Sequence, residues 1–459
     1  MKGSKQNDQR RLMMMHDPIP KVVFKMAVPT IVAFLINSIY SLADTFFVSS
    51  LGTNATAAVS VNSSLDQIIM MAGSMLAIGA NSYIARLLGA KREEEANKVL
   101  SVAFFIALAF GTILAVFGCI FMTPMVRLLG ATDTCLQYSI DYATYVLLVA
   151  PFMATSFVMN QCLRAEGSAV LSMIGMGFGS ILNCVLDPIF IFTLDLGVVG
   201  ASIATAISKL VSFAILIFPY MTHRSMLRIS LKFFQPSREI LTQIVKIGSS
   251  SMFRSGLAVV AGIVLNNIAG SISDAVLAGI GVTNKIMMFP FSVILGFGSG
   301  FQPVTGFNFG AKRFDRVLES YRFSAKCALA ISVIMALLLG LFANQVILLF
   351  SETDAEMQAI GALAIRLQSI ALPIHAWVAT VNMMCSGLGR AKGALLLATA
   401  RQGSCFLPIV YPLAWLFDKI GVASVQAIAD VLTLILAFPL HRKILRDVRT
   451  KAAEYGQTL

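Results

Sequence analysis

Charged side chains are scarce in this sequence. Asp, Glu, Lys and Arg make up only 13% of the 459 residues, whereas apolar residues make up 57%. A soluble domain of this length needs far more charge on its surface to stay in solution. The shortage of charge therefore predicts a polytopic membrane protein.

Several chemical signatures are also missing. The seven cysteines are odd in number, scattered and mostly within apolar runs, so they predict neither a disulfide framework nor a metal site. The sequence has no phosphate-binding P-loop, no His-Glu-x-x-His zinc helix and no Asp-rich diphosphate motif. These absences make a membrane-embedded enzyme the weaker interpretation, and we expect no catalytic residues and no cofactor. Without a P-loop, any transport by this protein would be driven by a gradient.

The charges that do occur are mostly basic and unevenly placed. There are 35 Lys and Arg against 23 Asp and Glu, which gives a net charge of +12. No tract combines basic residues with stacking aromatic residues, so we expect no nucleic acid partner. Most bases fall in short gaps between apolar runs, where the positive-inside rule places them.

Twelve apolar runs are long enough to cross a bilayer. They cover approximately residues 26–48, 56–82, 98–122, 137–159, 169–193, 198–220, 243–269, 275–301, 323–350, 358–384, 394–417 and 420–440. Gaps after even-numbered runs carry most of the bases, and gaps after odd-numbered runs are polar or acidic. We therefore expect a multi-pass protein of a bacterial-type inner (plasma) membrane with both termini in the cytoplasm.

The longest and most basic gap divides the runs into two sets of six. This gives five expected segments: a frayed cytoplasmic N-terminal tail (1–20), a first lobe (21–220), a cytoplasmic loop between lobes (221–242), a second lobe (243–440) and a cytoplasmic C-terminal tail (441–459).

The two sets of runs repeat each other. The tetrapeptide Gly-Ala-Lys-Arg at 89–92 recurs at 310–313, a shift of about 221 residues. Asn160 and Asn382 match one residue further on. Because each set has an even number of runs, both begin on the same side of the membrane. The sequence therefore predicts an all-α membrane protein with twelve transmembrane helices in two parallel six-helix repeats, an architecture that suits alternating access.

The fifth run carries an acid in an apolar setting. Asn183 and Asp187 lie four residues apart, so on a helix both side chains leave the same face. Pro188 cannot donate to the carbonyl of Cys184 and frees it. An aspartate at the bilayer centre costs about 2.5–3.5 kcal/mol, so such residues usually face a cavity and act there. We predict an ion site at Asp187; the alternative is a helix end among lipid headgroups.

A second acid lies in the first run. Asn37, Ser41 and Asp44 follow helical spacing and form a polar stripe that must face protein or water. If Asp44 and Asp187 approach each other, repulsion and desolvation favour a shared proton or a bound cation. The alternative for Asp44 is an interface near the outer headgroups. Thr205 in the sixth run joins these residues as a candidate.

The remaining intramembrane polar residues are less informative. Asp66, with Asn62 one turn away, is open between lining a cavity and structural packing, whereas Asp141 is typical of an outer edge. At the two key positions the second half has no matching acid. Its bases pair with acids or snorkel, and a lone His375 is typical of a satisfied interior histidine.

Methionine and phenylalanine are abundant, with 23 and 32 residues. Such side chains can line an adaptable cavity for flat organic cations. For most of them, however, ordinary apolar filling and lipid contact are the better explanation.

These residues together resemble the multidrug and toxic compound extrusion (MATE) family over nearly the whole chain. The resemblance is carried by Asp44-Thr45, the segments 183–188 and 200–205, and Gln302-Pro-Val-Thr-Gly-Phe-Asn-Phe-Gly-Ala-Lys312. It implies a V-shaped pair of six-helix lobes that exports amphipathic, mostly cationic compounds in exchange for protons or sodium ions by alternating access. Small organic cations and membrane lipid are then the expected partners, with the protein a monomer.

The resemblance also implies roles for individual residues. Asp44, Asn183, Asp187 and Thr205 correspond to an ion-coupling site in the first lobe, and Pro29 corresponds to a helix-bending proline. Pro188, which opens a turn of its own helix, is the second expected hinge. The acids that another branch of the family uses in its seventh and tenth spans are absent, since Arg254 and His375 stand there. The coupling ion stays open, with protons slightly favoured. The main alternative function is a lipid-linked sugar or polysaccharide flippase of the same superfamily, which needs a wide basic cavity.

Overall fold

The computed structural model describes residues 2–350 and 354–457, and the regular structure in these two ranges is helical. The α-helices are α1 (Lys2–His16), α2 (Ile19–Ser49), α3 (Thr53–Gly89), α4 (Glu93–Ile120), α5 (Met122–Leu128), α6 (Leu136–Ala165), α7 (Ala169–Pro188), α8 (Gly197–Met221), α9 (Arg238–Ile272), α10 (Asp274–Gly310), α11 (Phe314–Leu341), α12 (Ala343–Leu348), α13 (Ala355–Gly387), α14 (Ala391–Thr399) and α15 (Leu407–Glu454). Two π-helices, Ile189–Thr193 and Ala400–Ser404, and a 3-10 helix, Leu231–Phe233, complete the set.

Most of the longer helices are apolar enough to cross a membrane. Among the described residues, eleven helical runs qualify by length and composition. The last run, Ala391–Glu454, contains two crossings, because Asp418 adopts φ 50° and ψ −131° and interrupts the helix there. Gly421 then packs against the backbone of Leu413, so the chain doubles back. The prediction of twelve transmembrane helices is confirmed.

The two halves repeat each other in detail. Lys91 and Lys312, the third residues of the repeated tetrapeptide, adopt φ values of 64° and 59°. Asn160 donates to the carbonyl of Ser172 at 2.9 Å, and Asn382 donates to that of Ala394 at 2.9 Å. Equivalent residues thus make equivalent bonds between consecutive helices in each half, as the prediction of two parallel repeats requires.

The halves meet mainly along three pairs of helices, α2 with α10, α3 with α9 and α3 with α10. Glycine permits the closest approaches: Gly89 lies against the carbonyl of Phe307, and Gly310 lies reciprocally against that of Arg86. A side chain at either glycine would overlap the opposite backbone. Both glycines lie at the end of the bundle near the two chain termini, which we call the terminal face.

The N-terminal segment is not the frayed tail that its polar composition predicts. It forms α1, which packs on the terminal face with Met13 and Met14 buried. Arg316 of the second half donates to the carbonyls of Met14 at 3.4 Å and Asp17 at 2.8 Å. Packing against both halves thus holds this segment, a tertiary effect that local composition does not encode.

The C-terminal segment is also helical, since α15 continues to Glu454 instead of ending near residue 440. Gln457 donates to the carbonyl of Lys312 at 2.7 Å. Both described ends of the chain therefore lie at the terminal face.

Candidate functional site

A cavity of about 470 Å³ lies between the two halves. Its ionisable wall residues from the first half are Tyr40, Asp44, Asp66, Tyr142 and Lys209, and the second half contributes Arg254. We call this space the central cavity.

A second space of about 260 Å³, which we call the inner pocket, lies within the first half. It adjoins the central cavity, because the two share wall residues: Phe34, Asn37, Tyr40, Met70, Met153, Phe157 and Lys209. The inner pocket extends between α2, α6, α7 and α8, and Asn183 lines it. A molecule in the central cavity therefore has a path toward the predicted ion site.

Asp187 is fully buried, with 0% of its surface exposed, and lies behind Asn183. In the orientation that satisfies all its neighbours, the Asn183 amide donates to Oδ2 of Asp187 at 2.8 Å. Its oxygen accepts from the hydroxyl of Thr205 at 3.2 Å and from the Thr205 backbone N–H at 3.1 Å. Oδ1 of Asp187 has no hydrogen-bond partner among the described residues. The structure thus brings Asn183, Asp187 and Thr205 together.

Local backbone features place these three residues. Asn183 and Asp187 are separated by one turn of α7, and Pro188 ends that helix. The chain continues into the π-helix Ile189–Thr193, a rare turn type that is frequent at functional sites. Gly200 at the start of α8 lies against the carbonyl of Phe190. This close approach brings α8, and with it Thr205, onto α7.

Asp44 occupies the wall of the central cavity, one turn of α2 from Tyr40. The polar stripe of Asn37, Ser41 and Asp44 faces this cavity. Oδ1 of Asp44 is buried and has no hydrogen-bond partner among the described residues. The charge of Asp44 acts on Asp187, so the two acids are electrostatically linked. The side chain of Thr45 lies outside the described part of the structure.

Asp66 and Asp141, the two further acids considered in the sequence analysis, lie in different surroundings. Asp66 lines the central cavity, and its Oδ1 has no hydrogen-bond partner in the described ranges. Asn62 instead packs against α6 and donates to the carbonyl of Ser139 at 3.1 Å. Asp141 accepts from Gln137 at 2.8 Å near the start of α6. Asp66 therefore lines the central cavity, whereas Asn62, one turn earlier on α3, does not.

Two residues of this site were missed by the sequence reasoning. Lys209 lines both spaces, and its ammonium nitrogen lies 5.4 Å from the centre of the Tyr40 ring. Tyr40 itself lies within the fields of Asp44, Asp66 and Asp187. The sequence does indicate that Lys209 belongs near the site, because it follows Thr205 by four residues and so lies on the same helix face.

The second half uses its charges differently. Arg401 binds Asp430 through two hydrogen bonds, of 2.6 and 3.4 Å, and stacks over Phe291 with its guanidinium carbon 4.6 Å from the ring centre. His375 packs edge-on against the same ring, with centroids 5.1 Å apart. Asp430 is thus paired with a neighbouring base. By contrast, Asp44, Asp66 and Asp187 each keep one carboxylate oxygen without a hydrogen-bond partner among the described residues.

Pro29 lies within α2 where that helix is held against α10. Gly300 packs on the backbone of Ala27, and Gly296 packs on that of Ile31. Since Pro29 cannot donate to the preceding turn, this segment combines a weakened helix with a contact between the halves.

Comparisons with known proteins agree with this architecture. The sequence model of the MatE family matches residues 29–189 and 251–416. The multidrug export protein MepA of Staphylococcus aureus (strain MSSA476) is 28% identical over 433 residues, which cover 94% of this chain and 95% of that protein.

Solved structures match over almost the full length. A structure described as the outward-facing conformation of a multidrug resistance MATE family transporter of the MOP superfamily has a TM-score of 0.90 and 27% identity, covering 96% of this chain and 98% of the other. A MATE structure in the straight conformation has a TM-score of 0.90 and 27% identity, covering 96% and 99%. The chain therefore belongs to the MatE family and is a membrane transporter, not an enzyme.

Proposed function

We propose that this transporter is a secondary active multidrug efflux antiporter. It exports amphipathic, mostly cationic compounds in exchange for protons or sodium ions. The name of its relative MepA, a multidrug export protein, supports the substrate class. The polar and apolar residues that share the central cavity wall support a site for amphipathic molecules.

The proposal rests mainly on the burial and hydrogen bonding of Asp187. Its carboxylate is fully buried, one oxygen is held by Asn183, and the other has no hydrogen-bond partner among the described residues. A buried carboxylate with an unused oxygen is costly unless it takes up a proton or a cation. Asp187 therefore has the properties of a group that loads and releases the coupling ion.

The hydrogen bonds around Asn183 favour a proton over sodium. A hard cation needs several oxygen ligands at once. Here the Asn183 oxygen already accepts from Thr205, and its nitrogen is turned toward Asp187. A proton needs only the unpartnered Oδ1, so it can bind without rearranging the amide.

Exchange follows if one binding event disfavours the other. Asp44 lines the central cavity, where a cationic substrate arrives, and its charge acts on Asp187. A proton on Asp187 reduces the negative charge that attracts the cationic substrate. A bound cation in turn stabilises the deprotonated carboxylate and so weakens its binding of a proton. This linkage is reciprocal by thermodynamic necessity.

Alternating access requires the two halves to move against each other. We assign the moving lobes to residues 21–220 and 243–440, joined by the loop 221–242. Pro29 and Pro188 serve as bending points, because each lies where a helix of the site lacks a regular backbone bond. The bases concentrated at the terminal face support its placement in the cytoplasm, together with both tails.

The flippase alternative finds less support in the cavity. Arg401 is paired with Asp430, and Lys285 lines a separate apolar pocket of about 620 Å³. Arg254 and Lys209 are the bases on the described wall of the central cavity, and two acids, Asp44 and Asp66, share it. A lipid diphosphate requires a clearly positive cavity, whereas this wall is balanced.

Efflux of a fluorescent organic cation from proteoliposomes tests the proposal. Wild type and Asp187→Asn are each measured under an imposed proton gradient and then under a sodium gradient. We expect efflux with the proton gradient alone and none in the variant. Efflux that ignores both gradients, or that persists in Asp187→Asn, would contradict antiport through this site.

A further inference from the structure

A third pocket, of about 410 Å³, lies at the terminal face and shares no described wall residue with the central cavity or the inner pocket. Three bases line it, and each comes from a different part of the chain: Arg10 from α1, Lys25 from α2 and Arg224 from the loop after α8. No acid belongs to its described wall. We call this space the terminal pocket.

Most of the positive charge in the terminal pocket is unpaired. Lys25 and Arg224 have no carboxylate oxygen within 4 Å among the described residues. Arg224 packs over the ring of Phe218, with its guanidinium carbon 5.6 Å from the ring centre, a contact that does not neutralise it. Arg10 donates to the carbonyl of Arg224 at 2.9 Å and lies 3.5 Å from the carboxylate of Glu166. One buried acid thus faces three bases, and the pocket is positive.

The beginning of α7 forms another part of the same wall. Ala169, Val170 and Leu171 line the pocket. The backbone N–H groups in the first turn of a helix carry a partial positive charge. No side chain caps this helix end, because the hydroxyl of Ser168 donates to Glu166 at 2.8 Å instead, and the first turn holds no acid. These N–H groups therefore add donors for an anion to the three bases.

The terminal pocket lies at the depth of the lipid headgroups. The helix α7 and the π-helix after it form an apolar run of 25 residues, Ala169–Thr193. About 20 residues are enough to cross the hydrocarbon core. The first turn of α7, and with it the pocket, therefore lies at the boundary of that core.

An apolar surface leads from the pocket toward the middle of the membrane. On α7, Val170, Ile174 and Phe178 follow each other by one turn, and 45%, 44% and 50% of their surfaces are exposed. On the neighbouring helix α2, Val28 is 50% exposed and lies one turn beyond Lys25. Val170 and Lys25 both line the pocket, so the two stripes begin there. Apolar side chains exposed at this depth are available to acyl chains.

We propose that the terminal pocket binds the headgroup of an anionic phospholipid. Lys25, Arg224 and the first N–H groups of α7 hold the phosphate, and the acyl chains lie along the apolar stripe of α7. The amine of a zwitterionic headgroup would be repelled by the same bases, so an anionic headgroup such as phosphatidylglycerol is preferred. Basic pockets between transmembrane helices on the cytoplasmic side are typical sites for anionic headgroups. The inference goes beyond the proposed antiport, because none of these residues lines the central cavity.

Native mass spectrometry of the full-length protein, released from detergent micelles, tests this site. The protein is titrated with phosphatidylglycerol or with phosphatidylcholine that carries the same acyl chains. The dissociation constant of the first bound lipid follows from the abundance of the lipid-bound ions. We expect wild type to bind phosphatidylglycerol more tightly than phosphatidylcholine.

Two double variants locate the binding. Lys25→Gln with Arg224→Gln removes both unpaired bases and should weaken binding of phosphatidylglycerol about tenfold, with phosphatidylcholine changed less than about twofold. Arg228→Gln with Lys232→Gln is the matched control, since it removes two exposed bases that do not line the pocket. The control should bind phosphatidylglycerol as wild type does. Thermal unfolding in detergent without added lipid shows that each variant is folded.

Three outcomes would overturn the lipid site. Wild type could bind both lipids equally, or the two double variants could lose the same affinity, as general attraction to a basic face predicts. The third is displacement of phosphatidylglycerol by an equal concentration of inorganic phosphate or glycerol 3-phosphate, which would assign the pocket to a soluble anion. We expect neither to displace the lipid, because both lack acyl chains. Since binding is measured without a gradient or a drug, the result is independent of the antiport experiment.

Discussion

The side-chain nitrogen of Asn183 lies 2.8 Å from Oδ2 of Asp187, one turn further along α7. Asn183 lines the inner pocket, whereas Asp187 is fully buried behind it. The amide therefore separates the inner pocket from the carboxylate while remaining bonded to it. A single hydrogen bond thus connects Asp187 to the pocket wall.

The first prediction concerns that carboxylate. Asp187→Asn keeps the shape of the side chain but cannot exchange a proton, so coupled efflux should fall to the level of passive leak. Folding should be retained, with a thermal midpoint within about 2–4 °C of wild type. Proteoliposome efflux and thermal unfolding in detergent measure the two properties separately.

Asp141→Asn is the matched control, since it makes the same chemical change near the start of α6, away from the lining of both spaces. We expect its efflux to equal that of wild type. Normal transport by Asp187→Asn, or equal loss in the two variants, would remove Asp187 from the coupling site.

The second prediction concerns Asp44. Asp44→Asn should slow efflux several-fold and weaken its dependence on the driving gradient, because the charge that acts on Asp187 is lost. Initial efflux rates at a series of imposed gradients measure this dependence. A slower rate with unchanged gradient dependence would assign Asp44 to substrate binding alone.

The transmembrane architecture could be predicted from the sequence because the bilayer thickness sets the length of the apolar runs. The basic residues between those runs indicate which loops are cytoplasmic. The importance of Asp187 could be predicted because an acid within an apolar run is rare and costly. Lys209 was overlooked because a single base hardly changes the hydropathy of a long window. Its i+4 relation to Thr205 becomes informative only once Thr205 is known to face α7.

Pairings between distant helices were beyond sequence reasoning. Arg401 and Asp430 lie on different helical segments, and which of several bases would meet this acid depends on how the helices pack. The same holds for α1, whose polar composition gives no sign that Arg316 binds the carbonyls at its end.

The third prediction is that His375 carries no coupling ion. His375→Ala should leave the efflux rate and its gradient dependence within about twofold of wild type, because the ring packs on Phe291 beside the cationic Arg401. The same efflux assay under proton and sodium gradients measures it. Complete loss of transport would move the ion site toward the second half.

Asp430→Asn is the informative companion to that variant. It leaves Arg401 without its partner and should cost about 3–5 kcal/mol of stability, the usual effect of breaking a buried ion pair. We expect lower thermal stability with coupling preserved in the folded fraction.

The fourth prediction concerns Glu166 at the terminal face, between α6 and α7. Its oxygens accept from the side chains of Arg10, Ser168 and Ser225 and from the backbone N–H of Met226. Burial raises the pKa of the Glu166 carboxyl above its ordinary value, and these donors only partly oppose the rise. Arg10 thereby joins α1 to the first half through a partly desolvated ion pair of 3.5 Å.

The sign of the pH effect follows from this raised pKa. The folded carboxyl holds its proton to a higher pH than the unfolded one, so its stabilising contribution is complete below the unfolded pKa of about 4.3 and is lost as pH rises through the folded pKa.

Three variants test this effect. Glu166→Gln, which stays neutral, should lose less thermal stability than wild type as the pH rises through this range. Glu94→Gln changes an exposed carboxylate and should retain the wild-type slope. Arg10→Ala leaves the buried charge without its cation and should cost about 1–3 kcal/mol near neutral pH. Identical pH slopes for wild type and Glu166→Gln would show that Glu166 does not change protonation on unfolding.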